Sequence, residues 1–297
     1  MGKISLLICL SLVLVSLRAE SEFTFQHTIE IIEGEEYIQT PFGLMLKECV
    51  QNVPSGTFVE ELEDGSIHLT NDQQNFAKKI LKSDRCSQRN PTLNLKQWID
   101  NGGYWLPNGL SLSSFEGNYR VPNNPQTTNN QILYYFIGSQ NNDHTGQTII
   151  QPVLTYNKGW LFQSWNCCPK GQAINASPVY GVNPYDTIYG SVTVQNNVVT
   201  ITSKNKAGQS SVLQVAQNTR FFNWIDATLE VYNISACSNF PTDYIEYSNL
   251  KVILSNGQIA KPEWINDYGN SQCNGKLTII NPSTIKIQHN LPAQEQE

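Results

Sequence analysis

The sequence is poor in charged residues, and above all in basic ones. Only 15% of its 297 residues are charged, with 19 Lys and Arg against 25 Asp and Glu, and the formal net charge is −6. Proteins that bind nucleic acids need a basic patch or stripe to neutralise phosphates. The sequence shows no such clustering, so we expect no nucleic-acid partner.

Metal-binding patterns of histidine and cysteine are scarce as well. The four histidines, at positions 27, 68, 144 and 289, lie far from the cysteines, and no CxxC pair is present. Structural zinc sites bring Cys and His ligands together at short, regular spacings. We therefore expect no metal ion and no cofactor.

Long apolar runs are missing except at the N-terminus. The apolar residues 4–17 follow Lys3 and precede the small residue Ala19, a layout typical of a secretory signal peptide over residues 1–20. This run is short for a membrane span, and no later run approaches ~20 apolar residues. We expect a soluble, monomeric protein without a membrane partner. It would be secreted, or held in the lumen of an acidic secretory or digestive compartment.

Seven cysteines are present, and Cys9 would leave with the signal peptide. An even number in an exported chain predicts disulfide bonds, here three. Cys49 and Cys86 are expected to pair. Adjacent Cys167 and Cys168 would point to opposite faces of a strand and are not expected to bond to each other. Two bridges would then join these remaining cysteines in some order: Cys167, Cys168, Cys237 and Cys273.

Two glycosylation sequons fit an exported chain. Asn233-Ile234-Ser235 is the better acceptor, and Asn175-Ala176-Ser177 is the poorer one because Pro178 follows it. Both Asn233 and Asn175 are predicted glycosylation sites.

Acidic residues are concentrated near the N-terminus. Residues 22–64 carry ten acidic side chains against the single basic Lys47, a net charge of −9. Residues 90–293 carry ten acidic side chains against eleven basic ones, a net charge of +1. This contrast predicts an acidic segment, residues 21–89, that covers or docks beside a body of residues 90–297. A propeptide is one interpretation of the segment.

The acidic segment contains one helical pattern. The stretch NDQQNFAKKILKSD, residues 71–84, offers Asn71 or Asp72 as an N-cap and carries lysines toward its end. These are start and stop signals of a helix, so we predict one here.

The body consists of short β-type runs. QILYYFIGSQ, TIIQPVLTY, WLFQSWNCC, TIYGSVTVQ and NVVTITSKN are examples, and Asn, Gly, Pro and Ser interrupt them at near-regular spacing. Such spacing is typical of a sandwich or barrel. The predicted fold class is all-β, a concanavalin-like antiparallel β-sandwich in one domain.

Common hydrolytic signatures are missing from the body. A serine triad would need His144 or His289 as its base, and neither lies near a GxSxG motif. Most carboxylates lie in or beside predicted turns, where a solvated surface role is expected. Glu230 differs, because ATLEVYN places it inside a strand with Thr228 and Tyr232 on the same face.

Gln151 is the second unusual polar residue. The stretch TIIQPVLTYNKGW is rich in β-branched and aromatic residues and ends in a turn, so it predicts a strand that enters a hairpin. Alternation places Gln151 on one face with Ile149 and Val153. It lies in the middle of an apolar strand, not at its end.

The order of these features resembles the eqolisins, the glutamic peptidases, which are secreted, acid-active β-sandwiches. The similar pieces lie within about residues 134–234. They are IIQPVL around Gln151, QSWNCCP around Trp165, YDTIYGSVTV around Asp186 and ATLEVYN around Glu230. The separation 230 − 151 = 79 residues is close to that between the catalytic Gln and Glu of the family. The chain departs from the family in the residues that follow Gln151 and Trp165 and in those that precede Glu230.

The resemblance implies an acid-active endopeptidase. Glu230 would act as the base and then the acid, Gln151 would stabilise the oxyanion, and Trp165 would form part of the wall. Tyr232 and Thr228 would help to bind a polypeptide substrate. A non-catalytic module that binds a carbohydrate or a peptide is the alternative, because one fold hosts many functions. A third reading is a glycosidase that pairs Glu230 with Glu263 or Glu116.

Overall fold

The computed structural model describes residues 29–87, 98–141, 148–218, 220–269 and 272–289, and the predicted signal peptide lies outside these ranges. The described chain is almost entirely β-structure. Its strands, in chain order, are β1 (Ile29–Ile32), β2 (Glu35–Thr40), β3 (Gly43–Leu46), β4 (Val50–Val53), β5 (Thr57–Glu61), β6 (Ile67–Asn71), β7 (Phe76–Ile80), β8 (Trp98–Trp105), β9 (Leu112–Arg120), β10 (Ile132–Asn141), β11 (Thr148–Tyr156), β12 (Trp160–Cys167), β13 (Ala173–Ala176), β14 (Thr187–Gln195), β15 (Val198–Lys204), β16 (Ser210–Ala216), β17 (Phe222–Tyr232), β18 (Tyr244–Leu254), β19 (Ile259–Ala260), β20 (Ile265–Gly269), β21 (Lys276–Asn281) and β22 (Thr284–Gln288).

Helical structure is confined to short turns in the described ranges. The one α-helix found there is α1 (Asp84–Ser87). Five 3-10 turns accompany it: Lys47–Cys49, Asp72–Gln74, Pro169–Gly171, Cys237–Asn239 and Gln272–Asn274. No helix in this part of the chain is long and apolar enough to cross a membrane.

Two large sheets pack face to face. The eight-stranded sheet has the order β20-β8-β17-β10-β11-β12-β13-β4, and the larger sheet has the order β21-β22-β18-β9-β14-β15-β16-β5-β6-β7, with β19 paired to β18. Between them lies the main apolar core, to which β10 contributes Leu133, Tyr135 and Ile137. Alternation along each strand explains why one face of each sheet is apolar. The predicted all-β sandwich is therefore confirmed.

The acidic N-terminal segment supplies strands to both sheets. β4 pairs in parallel with β13, so that Val50 lies opposite Ala173. β5 pairs in parallel with β16, so that Thr57 lies opposite Leu213. The predicted domain boundary near residue 90 lies outside the described residues and stays a prediction.

The helix predicted at residues 71–84 is wrong. Asn71 does cap a turn, since its side chain accepts a hydrogen bond from the Gln74 backbone N–H, 3.2 Å. The turn ends at Asn75, whose backbone is left-handed with φ 49°. The chain then continues as β7, which pairs with β6 and forms the edge of the larger sheet. Pairing with an available sheet edge outweighs the helix propensity of the Lys-rich sequence.

Three disulfides are found among the described residues: one was predicted, one is contrary to expectation, and one joins cysteines whose pairing was left open. Cys49 bonds to Cys86, as predicted. Cys237 bonds to Cys273. Cys167 bonds to its neighbour Cys168, so the expectation that these two would not pair is wrong. β12 ends at Cys167, so strand alternation does not extend to Cys168.

The second face of the eight-stranded sheet, here called the outer face, points away from the main core. It carries the even-numbered residues of β10, among them Tyr134 and Phe136, and the odd-numbered residues of β11. The N-terminal hairpin, formed by β2 and β3 (Glu35–Leu46), packs over it. This hairpin belongs to a separate three-stranded sheet with β1. The outer face is therefore a second, smaller core.

Candidate functional site

The predicted site residues lie on the outer face. Gln151 lies on β11 and Glu230 on β17, and β10 runs between these two strands. The predicted binding residues lie beside them: Trp165 is opposite Gln151 on β12, and Thr228 and Tyr232 flank Glu230 on β17. These five residues therefore lie on one face of one sheet.

The strand register separates Gln151 from Glu230. Glu230 lies opposite Tyr134 of β10, which lies opposite Thr155 of β11, four residues along the strand from Gln151. With roughly 3.4 Å per residue and about 4.8 Å between strands, the two backbones are about 16 Å apart. Glutamine and glutamate side chains do not span that distance. The structure does not bring the two predicted catalytic side chains together.

Glu230 is held by hydrogen bonds within the sheet. One of its carboxylate oxygens accepts a hydrogen bond from the Tyr232 hydroxyl, and the other accepts one from Trp98 Nε1, 3.1 Å. Burial, and next the charge of Glu230, raise the pKa of Tyr232 well above its ordinary value, so its hydroxyl keeps the proton that it donates. The Glu230 side chain is fully buried. These contacts favour an anchoring role.

Gln151 has the opposite character. Its side chain is 0% exposed, and neither its amide oxygen nor its amide nitrogen has a hydrogen-bond partner among the described residues. Burying an amide without a hydrogen bond costs on the order of 1–3 kcal/mol by mutational measures. The sheet therefore retains, at a cost in stability, an amide that is free to bond something else.

The row of Gln151 contains a carboxylate from β17. Phe136 lies opposite Val153 and Ser139 lies opposite Ile150, which places Gly138 opposite Gln151. On its other side Gly138 lies opposite Asp226. The nearest carboxylate of β17 in this register is thus Asp226.

The backbone is locked at this row by a tyrosine from the other sheet. Pro152, next to Gln151, has no N–H to give to β10. The hydroxyl of Tyr119 fills the gap: it donates to the Pro152 carbonyl, 2.8 Å, and accepts from the Ile137 N–H, 3.0 Å. Gly190 makes room for this contact, since a Cβ there would lie 2.9 Å from both the Tyr119 hydroxyl and the Pro152 ring.

The outer face is closed where the N-terminal hairpin packs on it. Ile38 of the N-terminal hairpin is 5% exposed and belongs to the same apolar cluster as Tyr134 and Trp165. Phe42, at the hairpin turn, meets the Trp165 ring edge-on at 6.1 Å between centroids. The Tyr134 hydroxyl donates to the Gln39 carbonyl, 3.1 Å. The hairpin thus covers Trp165, which lies opposite Gln151.

A buried acid–base pair, His289 and Asp100, lies away from this face. His289 Nε2 and Asp100 Oδ2 are 2.5 Å apart, and both side chains are buried. Phe240 stacks on the His289 ring, with 4.4 Å between centroids. The pair fastens the end of β22 to β8 inside the fold, which indicates a structural role. His144, the other histidine considered as a triad base, lies outside the described residues.

The two predicted glycosylation sites differ in access. Asn233 is exposed. Asn175 is fully buried, and its side-chain oxygen accepts a hydrogen bond from Gln163 Nε2, 2.7 Å. A glycan cannot be attached to Asn175 in this fold, so that prediction is wrong.

Few described residues could hold a metal ion. Glu48 lies beside Cys49 and Cys86, but the two sulfurs are bonded to each other and offer no thiolate.

Comparison with known proteins finds similarity in structure alone. No family model and no curated protein sequence matches the chain. A scytalido-glutamic peptidase bound to a peptide-based transition-state analogue is similar with TM-score 0.46 and 10% identity, over 65% of this chain and 98% of that one. SCP-B, a member of the eqolisin family in complex with the tripeptide Ala-Ile-His, is similar with TM-score 0.45 and 11% identity over the same shares. The predicted resemblance is thus confirmed as a remote similarity of fold.

Sequence reasoning missed Asp226 and the N-terminal hairpin. Asp226 directly precedes the run ATLEVYN and was not singled out from the sequence, whereas β17 already begins at Phe222. The alternation of Asp226, Thr228 and Glu230 was the signal that could have placed it on the same face. No comparable signal in YIQTPFGLML says which surface the hairpin covers.

Proposed function

We propose that the outer face is the active site of an acid-active endopeptidase, which uses the amide of Gln151 and a carboxyl group of β17. The N-terminal hairpin keeps this site closed. The observation that carries the proposal is the Gln151 amide, which is buried and has no partner among the described residues, on a face that also holds carboxyl groups.

An amide and a carboxyl group are sufficient for peptide hydrolysis. A carboxylate can take a proton from water and later give it to the leaving amine. An amide N–H can stabilise the oxyanion of the tetrahedral intermediate, and it does so at any pH because glutamine does not ionise. Carboxyl groups ordinarily titrate near pH ~4, so both proton transfers are efficient in acid.

The hairpin contacts support a polypeptide as the ligand. Phe42 packs on Trp165, and the backbone carbonyl of Gln39 accepts a hydrogen bond from Tyr134. A β-strand of this chain is thus already bound to the face through an aromatic contact and a main-chain hydrogen bond. The same observation favours the second candidate function, a peptide-binding module without catalysis.

The test uses a protein whose hairpin can be released. A recognition sequence for a site-specific protease is inserted between Leu46 and Lys47, and cleavage there yields what we call the opened protein. We expect the opened protein to cleave an unfolded protein substrate at about pH 3–5 and not at pH 7. Inhibitors of serine, thiol and metal peptidases should have no effect, because no such group takes part.

Two variants of the opened protein complete the design. Gln151→Ala should lose on the order of 10²-fold in cleavage rate, the usual effect of removing one oxyanion donor. Gln195→Ala, at the exposed end of β14, is the matched control and should keep full activity. An opened protein that binds peptides but cleaves none between pH 3 and 7 would instead support the binding module.

A further inference from the structure

Asp226 lies where a reaction partner of Gln151 has to lie. The two residues face each other across β10 in one cross-strand row, with only Gly138 between them. Two strand spacings separate their backbones, about 10 Å. Side chains of Asp and Gln that lean toward each other can approach across that distance.

Gly138 is the reason that the row is not blocked. A Cβ at position 138 would lie 2.6 Å from Asp226 Oδ1 and 3.2 Å from Ile149 Cδ1. The carboxylate of Asp226 therefore leans over the backbone of β10 toward β11. Any other residue at position 138 would fill the space through which Asp226 and Gln151 face each other.

The carboxylate of Asp226 is buried and is oriented by a hydrogen bond. Its side chain is fully buried, and Gln140 Nε2 donates a hydrogen bond to Oδ2, 2.9 Å. The two oxygens of Glu230 are bonded by the hydroxyl of Tyr232 and the indole of Trp98. Glu230 also lies four residues away along the strands from the row of Gln151.

We infer that Asp226, and not Glu230, is the carboxyl group that works with Gln151; this inference rests on the proposed function. The Asp226 carboxylate removes a proton from a water molecule as the water oxygen bonds to the peptide carbon. The carbonyl oxygen becomes an oxyanion that accepts a hydrogen bond from Gln151 Nε2. Asp226 then gives its proton to the amide nitrogen, the C–N bond breaks, and an acid and an amine leave. Glu230 is a positioning residue that fixes Tyr232 and Trp98.

The decisive experiment compares isosteric variants of the opened protein. Asp226→Asn should lower the cleavage rate by 10²-fold to 10⁴-fold, the range that general acid–base catalysis supplies. Glu230→Gln should stay within about tenfold of the parent, with a lower melting temperature. Asp72→Asn, at an exposed aspartate between β6 and β7, is the matched control. If Glu230→Gln is inactive while Asp226→Asn is active, the inference is overturned.

A second variant and a binding measurement complete the test of Asp226. Gly138→Ala keeps the carboxylate but pushes it from the row, so it should also lose at least tenfold in rate, while circular dichroism shows an intact fold. The opened protein is also titrated with a peptide that carries a hydrated ketone in place of one amide, a mimic of the tetrahedral intermediate.

The binding assay separates failure of this inference from failure of the proposed function. Asp226→Asn should weaken binding of the ketone peptide at least tenfold. It should leave unchanged the binding of the same peptide with its ordinary amide. An opened protein without peptidase activity sinks the proposed function. Equal binding of the ketone peptide by Asp226→Asn and the parent protein overturns the assignment of Asp226, whatever the activity.

Discussion

At the scale of single residues, the face of Gln151 could be read from the sequence, but its surroundings could not. The resemblance implied a shared site for Gln151, Trp165 and Glu230, and the three lie on one face of one sheet. Register between strands depends on pairing partners, which one strand's pattern does not contain. The 79-residue separation therefore suggested a pair that the register keeps apart, and Asp226 went unnoticed.

The two hydrogen bonds of the Tyr119 hydroxyl beside the site can be tested by substitution. In Tyr119→Phe, the Ile137 N–H and the Pro152 carbonyl lose their common partner inside the sandwich. We expect a loss of about 1–3 kcal/mol in the free energy of unfolding, because buried polar groups are left without hydrogen bonds. Urea unfolding at neutral pH measures it.

The control for this change is Tyr189→Phe. The Tyr189 hydroxyl donates to Glu116 on a half-exposed surface, 2.6 Å, where water can replace the bond. Its effect should stay below about 1 kcal/mol. An equal effect of the two substitutions would show that the Tyr119 bridge contributes nothing particular.

At the scale of elements, strand existence was predictable and edge assignments were not. The runs QILYYFIGSQ and TIIQPVLTY became β10 and β11 with bounds close to expectation. NDQQNFAKKILKSD became a turn and the edge strand β7, because β6 offered an unpaired edge. Local patterns carry no information on which edge is available, so such errors concentrate at the rims of the sheets.

An ion pair with a buried arginine connects the end of β5 to the residues that precede β17. Arg220, which is 7% exposed and precedes β17, bonds the carboxylate of Glu61 and also Asn166. Glu61→Gln would leave the guanidinium buried without a counter-charge, which typically costs about 3–5 kcal/mol. We expect a loss of roughly 3 kcal/mol by chemical denaturation.

Glu60, the residue before Glu61, provides the matched comparison. Glu60 is exposed on the same strand, so Glu60→Gln should change the free energy of unfolding by less than about 0.5 kcal/mol. If Glu61→Gln behaves like Glu60→Gln, Arg220 is satisfied by other groups, and the acidic segment is not fastened to the body through this pair.

At the scale of the whole molecule, the acidic segment has two parts with different relations to the sandwich. The N-terminal hairpin covers the outer face but shares no sheet with the body. Residues 50–61 extend both sheets, and the Cys49–Cys86 disulfide ties their start to the end of the segment. The charge contrast that marked residues 21–89 as one unit could not reveal this division, because net charge says nothing about strand pairing.

This division predicts where activating cleavage has to fall. A chain that begins at Lys47 keeps β4, β5 and the Cys49–Cys86 disulfide, and it loses the contacts of the hairpin on the outer face and the exposed ion pairs that Glu36 and Glu35 make with Lys47 and Arg85. We expect it to fold, with a melting temperature lower than that of the full chain by several degrees and with peptidase activity in acid. A chain that begins at residue 90 loses β4 from one sheet, the strands β5, β6 and β7 from the other, and the partner of Arg220. It leaves the edges of β13 and β16 unpaired, so it should aggregate or fail to unfold cooperatively.

Calorimetry of the two truncated chains, together with N-terminal sequencing of the protein after acid incubation, tests this prediction. Cooperative unfolding of the chain from residue 90 at the melting temperature of the chain from Lys47 would show that β4 and β5 are dispensable and would move the activating cleavage to the end of the acidic segment.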